Sequence, residues 1–222
     1  MEYKTKRIVT IILVLSILMT HSMTANAITT KRKNFKSEKS FSLFNNVKEK
    51  KEEKEKTVKV DFSDVAAECH KVLSDNSFSY GTHPYDFSKE TPRTTKNKTI
   101  DCSGFVSWTL YEYGKQIKDN TFKGLFGTST SASALKDIFS VNTKYFEYIG
   151  KADKVELKKG DLLVRPGKHI EIYSHTSGTG NWKIKCWHAG NTNSIQADST
   201  SSGVVNSSPS TYYVYRLKWI CS

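Results

Sequence analysis

The chain has 222 residues and a net charge of +12, a length that suggests one domain with extensions. Half of the basic excess lies in residues 28–60, where eleven basic and five acidic residues give +6, and only +4 falls from Asp61 onward. A nucleic-acid-binding domain carries its basic stripe on the fold itself, so that class is excluded, and four cysteines are too few to be a disulfide framework in a chain this long.

Residues 1–27 read as a secretory signal peptide. Lys4, Lys6 and Arg7 form a positive start, Ile8 to Met19 is apolar except for Thr10 and Ser16, and Ala25-Asn26-Ala27 supplies the small residues of a cleavage site. The alternative is an uncleaved membrane anchor, for which the apolar run is short against the ~20 residues of a span. The expected location is outside the cytoplasm, secreted or cell-wall associated. Residues 28–60 read as a basic low-complexity linker. The run Lys48 to Lys56 alternates Lys and Glu with no apolar face, so it supports transient Glu–Lys helix but no core. An exported basic tail suits anionic envelope polymers; a solvated spacer is the equal alternative.

The domain is expected over residues 61–222. Ser63 is a candidate N-cap, and Val65, Cys69 and Val72 follow at helical spacing, which places Cys69 in the core. Residues 75–99 are loop-like. A second helix is expected from Cys102 to Tyr113, with Val106, Leu110 and Tyr113 facing inward and Gly114 as its stop. A short helix is expected around Ser133–Phe139. The period then changes to two, and Leu162–Val164, His169–Tyr173, Trp182–His188 and Tyr212–Trp219 read as strands. Helices first and strands afterwards imply an α+β fold, with N-terminal helices packed on an antiparallel sheet.

Asp101-Cys102-Ser103-Gly104 opens the second helix. Asp101 can cap it, which leaves Cys102 in the first turn, where unpaired N–H groups and the helix dipole favour thiolate and offer an oxyanion site. The base is sought downstream. In His169-Ile170-Glu171-Ile172-Tyr173 the isoleucines face the core, and His169, Glu171 and Tyr173 face the other way, a placement that suits a cysteine–histidine pair. His188 ends the next strand, and a hairpin would set it beside His169 to fix that ring's tautomer; Asn191 is the alternative orienter. Cys186 with Cys221 is the disulfide pair to test. The spacing of Cys102, His169 and His188 matches no close-paired zinc pattern, so neither metal nor other cofactor is expected.

Asp101-Cys102-Ser103-Gly104-Phe105-Val106, Gly160-Asp161-Leu162-Leu163, His169-Ile170-Glu171-Ile172-Tyr173 and Trp187-His188-Ala189, in that order, resemble the NlpC-type cell-wall peptidases. The resemblance runs from about Asp61 to the C-terminus. It implies a papain-like fold, Cys102 as nucleophile, His169 as general base and His188 as the third polar residue. It also implies hydrolysis of peptidoglycan stem peptides, most often between D-glutamate and a diamino acid. Two positions depart from the family's pattern. Phe78 stands where a tyrosine is common, with Tyr80 as its substitute for binding substrate or oxyanion, and Glu171 replaces a commonly small residue on the face of His169. Tyr80, Asp101, Ser103 and Glu171 are the expected substrate-binding residues. An amidase or acyltransferase would use the same machinery, and a non-catalytic envelope-binding module is the reading from a different class.

Overall fold

The computed structural model describes residues 59–178, 183–190, 195, 200–201 and 203–218. The chain divides into two units, residues 1–55 and 56–222, and all the described residues belong to the second. The expected signal peptide, most of the linker, Asn191 and the Cys186–Cys221 pairing lie outside the described residues. Among those described, no helix is long and apolar enough to cross a membrane.

Helix α1, Phe62–Asp75, starts at Asp61 and not at Ser63: the Asp61 carboxylate accepts the Ser63 N–H at 2.8 Å. A carboxylate suits this place because it also meets the positive helix end. Val65, Ala66, Cys69 and Leu73 are buried along one stripe. Short strands β1, Ser79–Tyr80, and β2, Thr99–Ile100, pair in parallel. They clamp the long loop between them, so Tyr80 stands beside the start of the next helix.

That helix, α2, runs Cys102–Gln116 and is buried on nearly every side, from Cys102 through Gly114. A helix wrapped all round by protein is a central one. Gly114 does not stop it. A Cβ there would meet the Lys123 backbone at 2.8 Å, so the glycine lets helix α3, Asn120–Gly124, pack closely against α2. Helix α4, Ala132–Val141, is capped by Ser131 and buries Leu135 and Phe139.

Six strands form the main sheet. In chain order they are β3 Phe146–Lys151, β4 Leu162–Arg165, β5 His169–Thr176, β6 Ile184–Trp187, β7 Thr200–Ser201 and β8 Tyr213–Leu217. Their spatial order is β3-β8-β4-β5-β6-β7, and every neighbouring pair is antiparallel. A five-residue helix α5, Gly203–Ser207, and a 3-10 turn, Pro209–Thr211, precede β8.

The alternation of β4 and β5 splits the core in two. Leu162, Val164, Ile170 and Ile172 join the helices in the larger cluster. Leu163, Tyr173, Cys186, Val205, Tyr212 and Val214 form a second cluster on the opposite face. Strand β5 is therefore covered on both sides, and its polar residues Glu171 and Ser174 are buried with it.

Candidate active site

The site forms where the start of α2 meets the start of β5. Asp101 accepts the Gly104 N–H at 2.6 Å and the Ser103 hydroxyl at 2.9 Å through Oδ1, so the helix is capped and Cys102 sits at its first position, 5% exposed. The backbone N–H groups of Ser103 and Ile170 both point at the Cys102 sulfur. The Ile170 contact fixes the relation between the two elements: His169, the residue before it in β5, stands at the same spot. The Tyr80 hydroxyl also bonds the Cys102 sulfur, and Tyr80 remains 38% exposed, open to solvent on its outer side.

The strand register assembles the rest. Ile172 pairs with Trp187 and Tyr173 with Cys186, so His169, Glu171, Cys186 and His188 project on one face of the sheet. The rings of His169 and His188 meet edge-on at 89°, centroids 5.7 Å apart. His188 Nε2 bonds the Thr200 hydroxyl at 2.9 Å, its Nδ1 has no hydrogen-bond partner among the described residues, and its backbone carbonyl meets His70 Nε2 at 3.2 Å. A Cβ on Gly190 would come within 2.8 Å of the His188 ring, so only glycine leaves that ring its place. His169 Nε2 lies 3.5 Å from Glu171 Oε1.

Glu171 was expected at the substrate surface. It is fully buried, faces the second core cluster, and accepts the Tyr212 hydroxyl at 3.3 Å. The strand alternation gives the reason: Glu171 shares its face with Tyr173, and Tyr212 closes that face. Thr200, Tyr212 and His70 are contacts that no sequence signal marked, because each comes from an element distant in the chain.

His169, Glu171 and His188 each offer a donor atom within 4.8 Å of the others, the one such group among the described residues. The donor types suit zinc; Glu171 Oε1 also accepts the Tyr212 hydroxyl and His188 Nε2 meets the Thr200 hydroxyl.

Burial dominates the electrostatics. It pushes the Cys102 thiol up to about 11, with Asp101 and Glu171 adding to the rise and the Ile170 and Ser103 N–H groups opposing it. The helix start alone suggested a lowered thiol; desolvation outweighs the dipole. Burial also holds His169 down at about 4, with Asp101 opposing, and His188 at about 3, with His169 and His70 adding to the depression. The resting pair is therefore thiol and neutral imidazole.

The His188 shift has a stability consequence. Its folded value lies below the unfolded ~6.5, so the unfolded state binds the proton first as pH falls. Stability is full above the unfolded value and declines below it, by about 2 kcal/mol between pH 7 and pH 5 from this group alone; His169 acts in the same direction. Denaturant unfolding at the two pH values checks this, and His188→Asn should remove about one proton from the slope.

A model of the NlpC/P60 family matches residues 81–220, more than half of the chain, a span that includes Cys102, His169 and His188. The chain belongs to the NlpC/P60 family. Among curated proteins and among solved structures nothing matches the chain. Membership accounts for the papain-like α+β arrangement, and NlpC/P60 proteins are cell-wall enzymes, cysteine peptidases and amidases acting on peptidoglycan.

Proposed function

We propose that the protein is an exported peptidoglycan hydrolase that cuts stem-peptide bonds, between D-glutamate and the diamino acid, with Cys102 as nucleophile and His169 as general base. The observation that carries this reading is the contact of the Cys102 sulfur with the N–H of Ile170, the residue that follows His169 in its strand.

As the sulfur attacks the scissile carbonyl carbon, its proton passes to His169. The oxyanion takes hydrogen bonds from first-turn N–H groups of α2 and the Tyr80 hydroxyl, while Asp101 and Ser103 shape the floor behind it. The C–N bond breaks, His169 gives its proton to the leaving amine, and a thioester remains on Cys102. Water then attacks the thioester and yields a proton to His169. The C–S bond breaks, His169 returns that proton to the sulfur, and the carboxylate product departs. The deep burial of His169 and the thiol keeps both neutral until substrate arrives.

An amidase would leave the stem whole and detach it from the glycan, so the products decide. Purified peptidoglycan is digested with the full chain and the soluble fragments are read by mass spectrometry. Stem fragments with a new amino terminus at the diamino acid are expected. Intact stems freed from the glycan would replace this reading with the amidase, and wall binding without any released fragment would replace it with the binding module. Deleting residues 28–60 tests the tail: it should lower retention on walls that carry anionic polymers, and unchanged retention makes it a spacer.

A further inference from the structure

Strand register builds a donor group that no spacing along the chain announces. Glu171 lies one step beyond the Ile172–Trp187 pair and so faces His188 across the strands, and His169 precedes it by two residues on the same face. One donor atom from each lies within 4.8 Å of the other two. We propose that His169, Glu171 and His188 bind a zinc-type divalent cation, and that the bound ion holds the enzyme inactive. The binding stands on the geometry alone; the inactivation rests on the cysteine-peptidase reading above.

Zinc takes nitrogen and carboxylate oxygen at about 2.0–2.2 Å in a tetrahedron, which sets two of its ligands about 3.3–3.6 Å apart. His169 Nε2 and Glu171 Oε1 stand 3.5 Å apart, longer than an ordinary hydrogen bond and the length of that tetrahedral edge. His188 brings the third ligand. Its Nδ1 is buried with no partner among the described residues, and its Nε2 meets the Thr200 hydroxyl at 2.9 Å. With Nδ1 on the ion, the Nε2–H donates to Thr200 and fixes the ring. Glu171 is held in the same manner by the Tyr212 hydroxyl and the Cys186 thiol. Ligands anchored by such outer bonds are the pattern of protein metal sites. Glu171 has no exposed surface, and buried carboxylates are paired or coordinate metals; binding releases any proton the carboxyl holds. The His169 side chain keeps 16% of its surface exposed, which gives the ion an entry. Two imidazoles select against magnesium and calcium, which take oxygen ligands. A neutral imidazole has one basic nitrogen. With Nε2 on the ion the ring proton sits on Nδ1, and no nitrogen remains to take the proton of Cys102.

The test uses the untagged full chain. Zinc titrated into it by calorimetry should bind as a single ion per chain. X-ray absorption of that complex should show nitrogen and oxygen at about 2.0 Å and no sulfur at about 2.3 Å. Cys102→Ala should bind zinc as the unaltered protein does. Glu171→Gln, which keeps the shape and loses the carboxylate, should bind at least about tenfold more weakly. One equivalent of zinc should abolish cleavage of a soluble stem peptide, and a chelator should restore it. Absence of binding, a sulfur in the zinc shell, loss of binding in Cys102→Ala, or equal affinity in Glu171→Gln overturns the site. Full cleavage with the ion bound overturns the inactivation. The titration and the spectrum need neither a variant nor a substrate, so they decide the site even if the wall digest fails.

Discussion

Replacing Cys102 with alanine is expected to lower stem-peptide cleavage by at least about 10⁴-fold and to leave the fold standing. Removing the nucleophile of an enzyme with this kind of machinery eliminates the covalent route, and the residual rate comes from binding and oxyanion donors alone. The structural consequence is small because Cys102 occupies a helix start that Asp101 caps through Gly104 and Ser103, independently of the sulfur. Turnover on a soluble stem peptide, paired with a thermal melt, checks both halves. A melting temperature within a few degrees of the unaltered protein identifies the lost activity as chemical.

The second large effect falls on stability. Asp161→Ala is expected to destabilise the domain by about 3 kcal/mol, because it strips the partner from a partly buried arginine. Asp161 is 1% exposed and takes both nitrogens of Arg216 on β8, each at 2.7 Å, while its Oδ2 also accepts the Lys158 N–H at 2.8 Å. Its backbone carbonyl receives the Tyr173 N–H at 2.8 Å, so the residue joins the start of β4 to β5 and β8. The bidentate geometry is the strong form of this pair. The loss corresponds to roughly 10 °C of melting temperature. Asp161→Asn, which keeps the Lys158 bond and loses the charge, should fall between. Because Asp161 lies away from Cys102 and His169, kcat of the folded fraction should hardly change.

The elements that carry the site were the most legible in the sequence. Asp101-Cys102 at the head of an apolar helix and the period-two run from His169 both have local causes, a cap and an alternation, and the structure has both. Gly114 was read as a stop because a glycine's local effect is to end a helix; its actual reason, the approach of Lys123, is tertiary. Strand β3 escaped because Phe146 is its one buried side chain, which leaves no alternation to see. For Glu171 the alternation gave the correct face, but the cover of that face is Tyr212, 41 positions on. Whether a polar side chain on a strand meets water or a second core depends on a distant segment, and no spacing rule carries that information. The same limit hid the Thr200 contact of His188.

The central claim is that a covalent bond forms on Cys102 during turnover, and intact-protein mass spectrometry tests it most directly. The protein is mixed with a soluble stem peptide, quenched in acid within the first turnover, and weighed. The account predicts a mass increase equal to the acyl half of the cleaved peptide, mapped to the peptide that contains Cys102 and absent from Cys102→Ala. Product formed at the same rate by both proteins, with no adduct on Cys102, would contradict it.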